Sequence, residues 1–122
     1  MQMVKEVGRL SARVIELLQL SVTENQPIYM GESNIAHMKS RHPDDYLRYG
    51  DRIPEILADP DYVGENPKDS SIEYVKEFLV DNRFVKVAVR LSGSGTLYAR
   101  SLYTLNPNRV RNFIEKGTLK KV

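Results

Sequence analysis

The chain has 122 residues, of which 41% are hydrophobic, and this composition is typical of a globular domain rather than a disordered chain. It contains no cysteine, which excludes disulfides and cysteine-based zinc sites. The net charge of +2 is unevenly distributed, because the first 81 residues carry −6 and residues 82–122 carry +8, which favours a polyanionic partner for the C-terminal third.

The N-terminal segment, residues 1–24, is predicted to be helical. Valine and leucine recur at spacings of three and four over residues 4–20, which indicates an amphipathic helix. Charged residues interrupt the apolar positions, so the pattern fits neither a signal peptide nor a membrane span, and we expect a soluble, cytoplasmic protein. The sequence "PIYMG" (27–31) then predicts a short strand.

A second helix is predicted to begin at Ser33 or Asn34, since either side chain can cap it. It should end near His42, because Pro43 disfavours helical geometry in the residue before it. Residues 44–62 predict one or two further short helical turns. Three apolar positions of this stretch are expected to face the core: Ile53, Ile56 and Leu57.

The C-terminal half predicts a sheet followed by a helix. Residues 59–71 are rich in Asp, Pro, Gly and Asn and predict a loop, whereas 72–80 fits a strand or a helix, with the strand preferred. Residues 84–92 and 96–105 alternate and predict two strands joined by "SGSG", and "NPNRVRNFIEKG" predicts a capped helix. The whole chain is therefore predicted to be a single α+β domain, with N-terminal helices packed on a small antiparallel sheet and a C-terminal helix.

One face of the predicted sheet is expected to be open and cationic. Alternation and pairing of the apolar faces put these residues on it: Phe84, Lys86, Arg90, Tyr98, Arg100 and Thr104, joined by Tyr74 and Lys76 if 72–80 is the neighbouring strand. Cations interleaved with aromatic rings suit single-stranded nucleic acid, because the cations hold phosphates while the rings stack on bases. The polar side of an ordinary half-exposed sheet has the same pattern.

The only two histidines of the chain lie in "HMKSRH" (37–42). On an uninterrupted helix, residues five apart are separated by roughly 140° around the axis. We therefore expect His37 to face inward and His42 to be the more exposed, at a helix end that favours the charged imidazole. The alternatives are a hydrogen-bonded core histidine and a surface cap.

Several stretches resemble the phage-associated nuclease domains grouped with barnase, EndoU, the tRNase colicins and RelE. They are "GESNIAHMKSRHPDDYLRYG", "IPEILADPDYVGENP", "IEYVKEF", "VAVRLSGSGTLYARSLYTLN" and "RVRNFIEKGTLK", within residues 27–122. The resemblance implies N-terminal helices on an antiparallel sheet of about four strands. It also implies metal-independent endoribonuclease activity, with attack of the 2′-hydroxyl to give a 2′,3′-cyclic phosphate, in a toxin or effector of a phage or mobile element.

The resemblance also implies roles for individual residues. The matching candidates for catalysis are His37, His42, Lys76, Arg90, Tyr103 and Thr104. The candidates for RNA binding come from the residue pattern itself: Lys86, Tyr98 and Arg100 on the open face of the sheet, and Arg109 in the C-terminal helix. No metal and no cofactor are expected; the expected partners are RNA, with tRNA as one candidate, and an antitoxin or immunity protein. The alternative is a non-catalytic RNA- or protein-binding module on the same scaffold.

Overall fold

Two apolar clusters cover opposite faces of a mixed sheet in the computed structural model, which describes residues 3–122. The described residues form seven strands in the order β1-β2-β6-β5-β4-β3-β7. The elements are β1 (Val4–Arg9), α1 (Ala12–Leu18), β2 (Pro27–Gly31), α2 (Glu32–Arg41), α3 (Pro43–Tyr49), a 3-10 turn (Gly50–Arg52), α4 (Ile53–Ala58), β3 (Tyr62–Glu65), β4 (Ile72–Phe78), β5 (Arg83–Leu91), β6 (Leu97–Leu105), α5 (Pro107–Glu115) and β7 (Leu119–Lys121). The α+β class is confirmed, but a small antiparallel sheet of about four strands was the wrong expectation, because β2 pairs with β6 in parallel.

The N-terminal segment is a strand followed by a short helix, so the prediction of one helix over residues 4–20 is wrong. β1 pairs with β2, and a bulge between Glu6 and Gly8 leaves Val7 without a partner and buried. Val7 in the bulge and Leu10 after the strand are both buried, so two inward positions lie three residues apart, as on a helix, whereas Val4 is exposed. The helix begins only after Ser11, whose hydroxyl accepts a hydrogen bond from the Val14 N–H at 3.2 Å.

The larger apolar cluster lies between one face of the sheet and helices α1 to α4. It contains Met38 of α2 and Tyr49 of α3 together with Tyr74 and Val87 of the sheet. The predicted inward positions Ile53, Ile56 and Leu57 are buried there. The smaller cluster, Val75, Leu105, Val110 and Leu119, packs α5 against one end of the opposite face. The rest of that opposite face is left uncovered by α5 and bears the functional candidates.

The turn-rich residues 59–71 contain strand β3, so the prediction of a continuous loop there is wrong. Tyr62–Glu65 pairs with β4 on one side and with β7 on the other. Only four residues long, this strand lies between β4, the next strand along the chain, and β7 near the C-terminus, and local composition alone does not reveal it. The preferred strand over 72–80 is confirmed as β4.

A second bulge lies in the central hairpin of β5 and β6. Ala88 pairs with Ser101 and Val89 pairs with Ala99, so Arg100 is an extra residue between two pairs. Because the extra residue adds one step to the alternation, side chains after the bulge lie on the face opposite to the one that regular alternation would give them. Regular alternation would have placed Tyr98 and Thr104 on the same face, and the bulge places them on opposite faces.

Helices α2 and α3 pack along the part of β6 that β2 leaves unpaired. The parallel pairing of β2 with β6 covers only the register from Leu97 to Tyr98. Further along, the carboxylate of Asp45 in α3 accepts a hydrogen bond from the Thr104 N–H at 3.0 Å. Among residues 3–122 there is no helix with the length and apolar character needed to cross a membrane.

Candidate active site

A cleft of about 260 Å³ opens on the sheet face that α5 leaves uncovered. Strands β4, β5 and β6 form its floor, α2 forms one wall, and the loop between β3 and β4 forms another. Its lining residues are His37, Asn66, Asp69, Ser71, Glu73, Lys86, Ala88, Arg90, Arg100, Ser101 and Tyr103. The cleft therefore combines a histidine, three cations, two carboxylates and several hydroxyl groups.

One histidine lines this cleft and the other packs on Tyr103, which lines it, and their exposure is the reverse of the expectation. His37 is exposed and lines the cleft directly. His42 is half-buried, and its ring stacks on Tyr103 with 4.9 Å between ring centroids and 28° between planes. The cause is Pro43, which starts α3 immediately after His42. The chain turns there toward β6, so the imidazole packs against the sheet.

Lys86 forms a buried ion pair at the floor of the cleft. Its Nζ donates to the Glu73 carboxylate at 2.6 Å, and each side chain is only 10% exposed. The same Nζ lies 4.6 Å from the centroid of the Tyr103 ring. Burial acts to lower the pKa of Lys86, but the hydrogen bond to Glu73 and the nearby Tyr103 phenol outweigh it, so the net shift is upward. The ammonium group is thus held charged at a fixed place.

Arg90 and Arg100 supply the exposed positive charge of the cleft. Arg90 lies opposite Tyr98 in the β5–β6 register, and Arg100 is the bulged residue of β6. Both are exposed, and neither forms an ion pair within 4.0 Å in the described part of the chain. Two guanidinium groups that are free to meet a ligand at one cleft suit a phosphate, because their forked donors match its oxygens.

The loop between β3 and β4 is held in one shape by its own side chains. The Asp69 carboxylate accepts hydrogen bonds from the Ser71 hydroxyl at 2.6 Å and from the Ser71 N–H at 2.9 Å. These bonds lower the pKa of Asp69, and the charge of Arg90 acts in the same direction. Asn66 accepts from the Lys68 N–H at 2.8 Å. A polar wall of fixed geometry therefore faces the arginines.

Several sequence-predicted residues lie away from this cleft. Lys76 is on the helix-covered face, where its Nζ bonds to the backbone oxygen and the carboxylate of Asp59 at 2.8 and 3.1 Å. Tyr74 is 1% exposed in the core, so its expected place on the open face is wrong. Thr104 lies on the helix side of β6, next to Asp45. For β4, the open and helix-covered faces were assigned the wrong way round. For Thr104, the cause is the bulge at Arg100, which places the side chain on the helix-covered face instead of the open one.

Two further candidates belong to the covered end of the open face. Phe84 packs into the smaller cluster beside α5 and does not line the cleft. Arg109 lies near the start of α5, with its guanidinium carbon 5.7 Å from the centroid of the Phe113 ring. Lys86 does line the cleft, yet it is only 8% exposed and forms an ion pair with Glu73. It therefore differs from the exposed cation that was expected to bind the RNA backbone.

The carboxylate, amide and serine side chains of the cleft were not anticipated. They are Asn66, Asp69, Ser71, Glu73 and Ser101. Glu73 had a usable signal, because a carboxylate on a strand next to a strand bearing Lys86 predicts a cross-strand pair once the faces are assigned correctly. No such signal marks the loop residues, which reach the cleft through a long-range fold. Within residues 3–122, no three His, Cys, Asp or Glu side chains form a group that could hold a metal ion.

Comparison with protein families gives one match. The sequence model of a family described as phage-Barnase-EndoU-ColicinE5/D-RelE like nuclease 3 matches residues 5–112. The match begins in β1 and ends in α5, so it includes the N-terminal strand that lies outside the 27–122 region of the sequence resemblance. Neither the curated proteins nor the solved structures include a match to the chain. The resemblance seen in the sequence is confirmed by the family match.

Proposed function

The chain belongs to the family of phage-Barnase-EndoU-ColicinE5/D-RelE like nucleases, and from this premise we propose that it is a metal-independent endoribonuclease. In the proposed reaction, the ribose 2′-hydroxyl attacks the adjacent phosphorus and the 5′-oxygen leaves. The products are a 2′,3′-cyclic phosphate and a free 5′-hydroxyl. The observation that carries the proposal is the meeting of His37 with two exposed arginines at one cleft.

The reaction needs a base for the 2′-hydroxyl, an acid for the leaving oxygen, and positive charge near the phosphate. We assign proton transfer to His37, because its exposed imidazole lines the cleft where a ligand can enter. Arg90 and Arg100 are assigned to the phosphate, whose negative charge grows during attack. Two-point binding by guanidinium groups also fixes the orientation of the phosphate relative to the histidine.

We assign Tyr103 to orienting the phosphate or the leaving group through its hydroxyl. Its ring contacts the imidazole of His42 and the ammonium group of Lys86, as the stacking and cation–π distances indicate. Glu73 in turn holds Lys86. In this arrangement His42 acts as a positioning residue for Tyr103. Lys76 and Thr104 have no part in the proposed reaction, since both lie on the helix-covered face.

The deciding experiment is incubation of the purified protein with RNA in EDTA, followed by analysis of the ends for 2′,3′-cyclic phosphate. We expect cleavage by the wild type and a loss of roughly 10²-fold or more in rate for His37→Ala, with RNA affinity nearly unchanged. The matched control is Lys39→Ala, two residues further along α2 and outside the cleft lining. Equal rates for His37→Ala and the wild type would rule out this assignment.

A binding module predicts a different result for the same experiment. The wild type would bind RNA or a protein without cleavage, and cleft variants would show only graded losses of affinity. We further propose that the protein is a toxin or effector of a phage or mobile element, countered by an antitoxin or immunity protein. Growth arrest on expression of the wild type in a bacterial host, with relief in His37→Ala, is the expected outcome.

A further inference from the structure

A second cavity adjoins the candidate active site and shares Arg90 and Arg100 with it. Its volume is about 200 Å³. The remaining lining residues are Val4, Gly31, Ser33, Asn34, Ser92 and Tyr98. We propose that this cavity is a second nucleotide subsite, which takes the nucleoside next to the cleaved phosphate and stacks its base against Tyr98. This inference rests on the proposed function, because it names how a single RNA strand continues beyond the active-site cleft.

The order of the two cavities matches the repeat of a nucleic acid strand. An RNA strand alternates nucleoside and phosphate, and here a pair of exposed arginines lies between two cavities. A phosphate held by Arg90 and Arg100 would carry one nucleoside into the cleft of His37 and the other toward Tyr98. The charge agrees with this use, because no carboxylate lines the second cavity within the described residues, whereas Asp69 and Glu73 line the first.

The side chains of the second cavity suit a base more than a second phosphate. Tyr98 is only half-buried, so part of the side chain remains accessible, and Val4, 48% exposed, adds apolar surface. Stacking on an aromatic ring is available to every base, so this contact alone favours no particular base. The oxygen of Asn34 already accepts the Gly31 N–H at 2.9 Å, which leaves the amide nitrogen of Asn34 to donate to a base or ribose. Ser33 offers a hydroxyl beside it.

The expected ligand is therefore single-stranded RNA with an unpaired base on this side of the cleaved bond. A base within a duplex cannot stack on Tyr98, because its neighbours already cover both faces. A mononucleotide occupies only one of the two cavities. The minimal ligand that fills both is a dinucleotide, and affinity should rise markedly from mononucleotide to dinucleotide.

The test is a double-mutant cycle between Tyr98 and the base that it contacts. The RNA is a short single strand with one mapped cleavage site, made resistant by a 2′-deoxy substitution at the attacking ribose, and an abasic residue replaces the base on either side of that site. For one of the two sides, removal of the base should weaken wild-type binding about tenfold. Tyr98→Ala should weaken binding of the intact strand about tenfold. In this variant, removal of the base should cause almost no further loss of affinity. Tyr98→Phe keeps the ring and should behave as the wild type.

A second variant guards against misfolding of Tyr98→Ala. Ser33 is exposed at the start of α2, so Ser33→Leu should fold normally and fill the cavity. It should weaken binding of the intact strand but not of the abasic strand. If Tyr98→Ala and base removal reduce the affinity by independent factors on both sides of the cleavage site, Tyr98 contacts neither base and the subsite is overturned. Cleavage by the wild type would in that case still support the proposed function. If the protein does not cleave RNA, an abasic residue placed at each position of the strand in turn tests the same coupling with Tyr98. Coupling in that case supports the subsite and removes the catalytic proposal, and absence of both RNA binding and cleavage overturns both.

Discussion

Removal of the Glu73 carboxylate should destabilise the protein far more than removal of an exposed carboxylate. The ion pair with Lys86 spans 2.6 Å, and both side chains are only 10% exposed. In Glu73→Ala, the ammonium group would remain buried with the ring of Tyr103 as its main partner. Breaking one side of a buried pair typically costs about 3–5 kcal/mol. For a chain of this size, the loss corresponds to a fall of roughly 10–20 °C in Tm.

The matched control is the pair between Arg52 and Glu55, which has a similar distance of 3.0 Å but side chains that are 51% and 43% exposed. Glu55→Ala should cost no more than about 1 kcal/mol, because water already solvates both charges. Urea unfolding followed by circular dichroism suits a chain without tryptophan.

Replacing both residues of the ion pair shows how much of the loss in stability comes from leaving the Lys86 ammonium group buried without a partner. The double variant Glu73→Leu/Lys86→Met should recover most of the stability, because neither buried charge remains. If Glu73→Ala costs no more than Glu55→Ala, then the floor of the cleft is solvated in solution and the reasoning on Lys86 fails. If the double variant is as unstable as Glu73→Ala, the cost comes from packing instead of the unpaired ammonium group.

Three further predictions concern neighbouring features. Because the pKa of Lys86 is raised in the folded state, its contribution should be complete below the ordinary lysine pKa, and the difference in unfolding free energy between wild type and Lys86→Met should shrink as pH rises above about 10.5. Arg100→Ala should reduce the salt-dependence slope of single-stranded RNA binding by about 0.7, whereas Arg111→Ala on the exposed side of α5 should leave it unchanged. Asp45→Ala leaves the Thr104 N–H at the edge of β6 without its acceptor and should cost about 1–3 kcal/mol in urea unfolding, more than Thr104→Val, which keeps that backbone bond.

The central hairpin and the last helix could be predicted because their signals are local. Alternation over β5 and β6, the "SGSG" turn, and the cap at Asn106 each depend on a few adjacent residues. The N-terminal strand could not be predicted in this way, because its bulged residue Val7 and the following Leu10 are buried three positions apart, as on a helix. β3 has only four residues in a turn-rich stretch, and it pairs with the following strand β4 on one side and with the distant β7 on the other.

The candidate site was predictable to the extent that β5, β6 and α2 were. His37, Arg90 and Arg100 follow from those elements and do line one cleft. Tyr103 lines it too, but regular alternation put Tyr103 on the face opposite to Arg100, and only the family resemblance named it. Glu73 was missed because alternation along β4 defines two faces without saying which one meets the helices. The burial of its neighbour Tyr74 decides that question, and this burial is a property of the packed domain.

Because of the bulge in β6, one charged residue could be deleted without changing the face on which any other side chain of the strand lies. Arg100 is the extra residue between the pairs of Ala99 with Val89 and of Ser101 with Ala88. Deleting Arg100 would therefore bring Ala99 and Ser101 into regular alternation, with every other side chain of β6 on its present face. A one-residue deletion usually inverts a strand, but here it would preserve the sheet and remove one of the two guanidinium groups between the cavities. Deletion at this bulge would thus lower the positive charge of the open face while the hydrophobic core stays the same.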